Sequence, residues 1–101
     1  MAMTTQMQRD GDHLTVSLAG RLDTTTAPEL EAKLRPALSN GVTNLTIDME
    51  ALDYVSSAGL RVLLSAQKIM NRQGEMTVRN VNDAVMDVFE VTGFVDLLNI
   101  E

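Results

Sequence analysis

The feature that most constrains the fold of this chain is the order in which two hydrophobic periods follow one another. Three short segments, residues 14–18, 45–49 and 76–79, alternate apolar and polar side chains, which is typical of strands with one buried face. Between and after them, apolar residues recur at helical spacing. Because strand–helix–strand units form right-handed crossovers between parallel strands, this order predicts an α/β domain.

Capping and turn residues bound the three predicted helices. Threonines that can serve as N-caps precede the first helix, asparagine precedes the third, and a glycine follows the end of each. A proline suits the first turn of the first helix. The predicted limits are Pro28 to Asn40-Gly41, Ala58 to Gln73-Gly74, and Asn82 to Gly93.

The two ends of the chain complete the predicted sheet. A turn at Gly11 and Asp12 predicts that residues 4–9 pair as an antiparallel strand with the strand that follows, and residues 97–100 predict a last strand. Residues 20–23 and 53–57 are interpreted as connections after strands. The prediction is a single domain over residues 1–101, with a mixed β-sheet and helices packed mainly on one face.

Composition excludes several classes of function. The chain has no cysteine, which excludes disulfides, thiolate metal ligands and a cysteine nucleophile, and fits a reducing compartment. Its net charge of −6 opposes nucleic acid phosphates, so no direct nucleic acid binding is expected. No apolar run approaches ~18 residues, and residues 1–9 lack the apolar core of a signal peptide. The expectation is therefore a cytoplasmic protein without membrane insertion.

The most informative segment for function spans residues 53–64, where a predicted strand gives way to a helix. Sites in α/β sheets gather at such strand ends, and a helix N-terminus offers free N–H groups that favour an anion. Ser56 and Ser57 stand at this junction. Either one of them caps the helix, or one hydroxyl carries a phosphate that the helix N-terminus stabilises. The small Ala58 and Gly59 admit either close approach of a partner or tight helix–sheet packing.

Catalysis by these serines is not expected. A serine nucleophile needs an adjacent base, and His13, the only histidine, lies in the opening turn. No metal-ligand cluster or other base–nucleophile pair is visible in the sequence. The chain is therefore predicted not to be an enzyme and to need no metal or cofactor.

A second candidate segment, residues 20–24, has the sequence Gly-Arg-Leu-Asp-Thr. It also lies where a strand gives way to a helix. If the two strands are neighbours, Asp23 lies beside Ser57. Asp23 either belongs to a recognition face or caps the first helix together with the threonines of residues 24–26, and these two roles are compatible.

At these two segments the sequence resembles the STAS family, in particular the bacterial anti-sigma-factor antagonists. The Gly-Arg-Leu-Asp segment at residues 20–23 is similar to the family's first half, and the Tyr-Val-Ser-Ser-Ala-Gly-Leu segment at residues 54–60 is similar to its phosphorylation segment. Phe89, Thr92 and Gly93 resemble the end of the family's last helix. Nearly all of the chain is covered.

The resemblance implies a mechanism of partner switching. The unphosphorylated antagonist would bind an anti-sigma factor that is also a GHKL-type serine kinase, and would release it when phosphorylated. A serine phosphatase would restore the binding form. The acceptor maps onto Ser57 and the family's acidic residue onto Asp23, whereas Ser56 stands where many members carry aspartate. The alternative is a STAS adaptor that regulates a transporter or a lipid-trafficking complex without phosphorylation.

The same resemblance places the binding face around Ser57, and a monomer that pairs with its kinase is the default expectation. By position, the partner-binding residues are Asp23, Thr24, Val55, Ser56, Ala58, Gly59 and Arg61.

Overall fold

The computed structural model describes residues 3–101; Met1 and Ala2 of the domain predicted over residues 1–101 lie outside the described residues. Four strands alternate with three helices in the order that the hydrophobic periods predict. The elements are β1 (Thr4–Asp10), β2 (His13–Leu22), α1 (Ala27–Leu38), β3 (Asn44–Val55), α2 (Ser57–Gln73), β4 (Glu75–Arg79), α3 (Asp83–Thr92) and a short 3₁₀ helix (Phe94–Asp96).

The strands form one mixed sheet whose spatial order, β1-β2-β3-β4, is also their order in the chain. The opening hairpin pairs β1 with β2 antiparallel, as the turn signal predicts. The two strand–helix–strand units make β2–β3 and β3–β4 parallel. The prediction of a mixed sheet is confirmed.

The two faces of the sheet differ sharply in polarity. One face carries the apolar residues of the period-two segments, all buried beneath the helices: Leu14, Val16, Leu18, Leu45, Ile47, Met49, Met76 and Val78. On the other face, Gln6, Ser17 and Asp48 lie side by side in register across three strands. Since the helices cover the apolar face, burying it supplies the main driving force for folding.

Two predicted connections are wrong, because the strands continue through them. β2 runs to Leu22 rather than ending at Gly20, and β3 runs to Val55 rather than ending before Asp53. Gly20 has φ of +97°, and the β2–β3 register shifts twice around it. These irregularities break the period-two pattern that predicts a strand, although pairing resumes between Leu22 and Val55.

The predicted last strand, residues 97–100, is also wrong. After the 3₁₀ helix, only Ile100 bridges to β4, opposite Val78. Leu98 is buried, but Leu97 is half exposed, so these residues fill a gap at the sheet edge without alternating along it. Two backbone hydrogen bonds hold the segment: the Val78 N–H donates to Asn99 O at 2.8 Å, and the Glu101 N–H donates to Val78 O at 2.9 Å. None of the helices in the described part of the chain is long and apolar enough to cross a membrane.

Candidate functional site

The two candidate segments meet at the carboxyl ends of β2 and β3. These strands are parallel neighbours, and Arg21 lies opposite Tyr54 in their register. The backbone N–H of Ser56 then donates to Leu22 O at 2.8 Å, which extends the pairing into the start of α2. The turn that contains Asp23 and the serine pair therefore occupy one edge of the domain, where α1 and α2 both begin.

Ser56 is the residue that caps α2. Its backbone is extended (φ −98°, ψ 175°), and its Oγ accepts the N–H of Gly59 at 3.3 Å. Its carbonyl oxygen accepts the N–H of Leu60 at 2.9 Å. The side chain is half buried, so the Ser56 hydroxyl oxygen is committed to the fold.

Ser57 differs from its neighbour although the two share a side chain. It is the first residue of α2 and is exposed. Within residues 3–101, its hydroxyl makes no hydrogen bond, and the backbone N–H groups of Ser57 and Ala58 have no acceptor. The helix therefore presents an accessible hydroxyl next to two unoccupied donors.

Two of the predicted partner-binding residues, Val55 and Gly59, are buried. The Val55 side chain is only 2% exposed, because it completes the apolar face of β3. Gly59 is buried, and a Cβ there would lie 2.6 Å from Leu22 Cγ and 3.0 Å from Val55 Cγ2. The small size of Gly59 therefore serves tight packing of α2 on the sheet. Val55 and Gly59 therefore pack beneath the exposed surface and hold α2 against the sheet.

Asp23 organises the turn before α1. Its Oδ1 accepts four hydrogen bonds, from the N–H and hydroxyl of Thr25 (3.0 and 2.7 Å) and of Thr26 (3.1 and 3.2 Å). The Thr25 hydroxyl, then the Thr26 N–H, favour the charged carboxylate and lower its pKa from 3.8 to about 2. The Thr26 hydroxyl also donates to Arg21 O at 2.8 Å. Asp23 therefore caps the turn that leads into α1, whereas Thr26, the N-cap residue of α1 itself, makes no side-chain capping hydrogen bond. Thr24 beside Asp23 is exposed.

An arginine and a tyrosine that the sequence reading passed over stand beside this turn. The Arg21 guanidinium lies over the Tyr54 ring, 4.2 Å from its centroid, and Arg21 Nε is 3.8 Å from Asp23 Oδ2. Both side chains remain partly exposed, at 42% for Arg21 and 39% for the Tyr54 residue. Arg21 and Tyr54 lie opposite each other near the ends of two parallel strands. The sequence alone does not reveal this pair, because recognising it requires the register of the two strands.

An open cleft of about 510 Å³ runs between α1 and α2 from this edge. Small side chains widen it: Thr24 and Ala27 on the α1 side, Ala58 and Ser65 on α2. Arg61, which is exposed, stands on its rim. Ala58 and Arg61 belong to the first two turns of α2, so the cleft is continuous with the surface around Ser57.

His13, which the sequence offers as a possible base, lies away from Ser57. His13 Nε2 lies 3.0 Å from Thr46 Oγ1, and His13 pairs with Asn44 at the amino end of β3, the end opposite Ser57. Within residues 3–101, no three His, Asp or Glu side chains are grouped in a way that would hold a metal ion. The geometry is that of a recognition surface with an accessible hydroxyl.

Comparisons with known proteins identify the same architecture. The family described as "Mlab, STAS domain" matches residues 5–99. The chain is 33% identical over 96 residues to the anti-sigma-B factor antagonist of Listeria monocytogenes, covering 93% of this chain and 83% of that protein. The crystal structure of an anti-sigma factor antagonist from Mycobacterium paratuberculosis superposes with a TM-score of 0.88 at 23% identity, covering 97% of this chain and 84% of that one.

A second structural relative has been solved in two states. The anti-sigma factor antagonist SpoIIAA in its unphosphorylated form gives a TM-score of 0.77 at 19% identity, covering 97% of this chain and 87% of that one. The phosphorylated form of the Bacillus SpoIIAA gives 0.76 at 20% identity, covering 97% and 91%. At these identities, the superpositions establish a shared fold.

Proposed function

This chain belongs to the STAS domain family, and on that basis we propose that it is an anti-sigma-factor antagonist switched by phosphorylation of Ser57. The unmodified protein binds an anti-sigma factor that is also a GHKL-type serine kinase. The kinase transfers the γ-phosphoryl group of ATP to the Ser57 hydroxyl and then dissociates. A serine phosphatase removes the phosphate and restores the binding form, and the cycle takes place in the cytoplasm.

The observation that carries this proposal is the difference between the two serines: Ser56 caps α2, whereas Ser57 is exposed. A kinase needs an exposed hydroxyl, and Ser57 supplies one that no other group in residues 3–101 engages. Ser56 is half buried and caps α2 through its oxygen. Phosphorylation of Ser56 would therefore break a cap, whereas phosphorylation of Ser57 leaves the cap in place.

The names of the relatives support the choice of function. The Listeria monocytogenes protein is named an anti-sigma-B factor antagonist, and its alignment covers most of both chains. SpoIIAA is described in phosphorylated and unphosphorylated forms, and the two forms resemble this chain almost equally, with TM-scores of 0.76 and 0.77. We infer that the phosphate acts locally rather than by refolding the domain.

The proposed block is electrostatic and steric. Phosphoserine brings roughly −1.5 to −2 charges at pH 7, and the free N–H groups of Ser57 and Ala58 can stabilise it within the domain. The same phosphate stands on the surface that the partner must cover, beside the Asp23 carboxylate. Covering this charge with a partner surface that offers it no cation costs several kcal/mol, so the complex dissociates.

Other predicted partner-binding residues that are exposed or partly exposed complete the proposed contact surface. Asp23, Thr24, Ala58 and Arg61 lie around Ser57 or along the cleft that begins there. A monomeric antagonist presents this surface to one kinase subunit.

Incubation with the cognate kinase and ATP, followed by peptide mass spectrometry, tests the proposal. One phosphate should appear, on Ser57, and Ser57→Ala should abolish it while Ser56→Ala does not. A phosphate on Ser56 or on α1 would contradict the assignment. Stable binding of a transporter or lipid-trafficking complex, with no phosphorylation by a kinase that the protein binds, would favour the adaptor function instead.

A further inference from the structure

One arginine beside the candidate site is left without a partner by the fold. The chain has six arginines. Arg9 donates to two backbone carbonyls, and three others lie within 4 Å of a carboxylate: Arg21, Arg35 and Arg79. Arg61 and Arg72 make no ion pair and no side-chain hydrogen bond within residues 3–101. Of these two, only Arg61 stands at the end of α2 where Ser57 lies.

The spacing of Ser57 and Arg61 places them on one face of α2. Residues four apart on a helix have Cβ atoms roughly 5–6 Å apart, and an acidic group one turn before a basic group is the favourable order. Both residues are exposed, so their side chains can meet without moving the backbone. A phosphate on Ser57 would therefore arrive within reach of the unpaired guanidinium.

Apart from Asp53, the charged groups along the cleft and at the strand ends are already engaged. Across the cleft, Glu31 of α1 pairs with Arg35 at 3.4 Å rather than with Arg61. At the strand ends, Arg21 lies over Tyr54, and the Asp23 carboxylate is held by two threonines. Asp53 on β3 is exposed and makes no side-chain hydrogen bond in the described chain. Arg61 is thus the uncommitted cation at this edge.

We propose that Arg61 is the internal partner of phosphorylated Ser57. This inference rests on the proposed function, because it requires the phosphate. Two guanidinium N–H groups donate to phosphate oxygens, which adds a charge-assisted pair to the free amides of Ser57 and Ala58. In the unmodified protein, Arg61 stands on the rim of the cleft and is available to an acidic group of the partner. Phosphorylation therefore adds a negative charge and withdraws a positive one from the same surface.

The test reads the phosphate directly. Phosphoserine is installed at position 57 by genetic code expansion, and ³¹P NMR follows its second ionisation between about pH 4 and pH 8. A paired guanidinium favours the dianion and lowers the second pKa of the phosphate. Arg61→Gln should raise that pKa by about 0.1–0.4, which is the stabilisation of a helical pair at this spacing converted at about 1.36 kcal/mol per pKa unit. Arg61→Lys should restore part of the difference.

Arg72→Gln is the matched control. It removes the same charge from the same helix, about 22 Å along the axis from Ser57. It should leave the phosphate titration unchanged. Equal titrations of wild type and Arg61→Gln, or equal shifts from Arg61→Gln and Arg72→Gln, would overturn the inference. Since the phosphate is installed without the kinase, this result is independent of the proposed function, which fails separately if the kinase neither binds the protein nor modifies Ser57.

Discussion

At the scale of single residues, the neighbours Ser56 and Ser57 have different roles: the Ser56 hydroxyl caps α2, whereas the Ser57 hydroxyl is accessible. Ser56 is the last extended residue before α2, so its Oγ can accept the N–H of Gly59 in the first turn of the helix. Ser57 is the first helical residue, so its side chain points outward and is exposed. From the residues alone, the sequence allowed either a serine that caps the helix or a serine that carries a phosphate. Two identical neighbours gave no chemical reason to choose between them, and only the family resemblance mapped the acceptor onto Ser57.

Alanine substitutions separate these two serines by stability. Ser56→Ala should lower the free energy of unfolding by about 0.5–1 kcal/mol, the lower part of the range for lost N-caps, because the Oγ to Gly59 N distance is long at 3.3 Å. Ser57→Ala should leave it within about 0.5 kcal/mol, as is usual for an exposed side chain without contacts. Urea unfolding followed by circular dichroism measures both. A larger loss for Ser57→Ala would mean that the cap is misassigned.

Asp23 gives a prediction in pH. Because hydrogen bonds from Thr25 and Thr26 lower the folded-state pKa from 3.8 to about 2, the carboxylate stabilises the fold at neutral pH. That contribution is complete above the unfolded pKa and disappears as the pH falls towards about 2. The stability difference between wild type and Asp23→Asn should therefore be constant above about pH 5 and shrink between pH 4 and pH 2.

Urea melts at several pH values measure this difference, and Asp53→Asn controls for the loss of one exposed negative charge. A difference for Asp23→Asn that stays constant down to about pH 2 would contradict the account. The threonine contacts were only partly predictable from the sequence. Three consecutive threonines indicate a cap, but which hydroxyl turns towards Asp23 depends on the tertiary path of the turn.

At the scale of elements, the hydrophobic periods predicted the three α-helices and strands β2, β3 and β4, and the turn signal at Gly11 and Asp12 predicted β1. They failed at strand ends, where side chains stop alternating. Leu22 and Val55 are buried in their strands, yet the irregular register around Gly20 hides them from a period-two pattern. Near the C-terminus, by contrast, the pattern predicted too much strand. The apolar residues near Ile100 fill a gap and make only one bridge to β4. The hydrophobic pattern of one segment cannot show how that segment pairs, because pairing depends on the neighbouring strand.

Gly59 tests how closely α2 packs on the sheet. A Cβ at this position would lie 2.6 Å from Leu22 Cγ and 3.0 Å from Leu22 O, and both atoms belong to the buried core. Gly59→Ala should therefore destabilise the domain by about 1–3 kcal/mol, even though alanine is the better helix former. Thermal and urea unfolding of the variant check this. Unchanged or increased stability would show that α2 is not held at that distance.

At the scale of the whole molecule, the two faces of the sheet and the edge where its parallel strands end have different roles. One face is buried under the helices, and the other is polar across its strands. The carboxyl ends of β2 and β3 carry the serine pair, the Asp23 turn and the cleft between α1 and α2. The sequence predicted this edge because parallel neighbouring strands end together. It did not predict the cleft or the Arg21–Tyr54 pair, which depend on packing between elements distant in the chain.

The most direct test of the account is calorimetric titration of the cognate anti-sigma kinase with the unmodified domain and with the domain carrying phosphoserine at position 57. A non-hydrolysable ATP analogue keeps the unmodified domain from being phosphorylated during the measurement. The account predicts that the unmodified domain binds and that the phosphorylated domain binds at least about 30-fold more weakly, as expected when an interface must cover an added charge to which the partner offers no cation. Both forms should melt within a few degrees of each other. Equal affinities, or a phosphorylated domain that has lost its fold, would contradict the account.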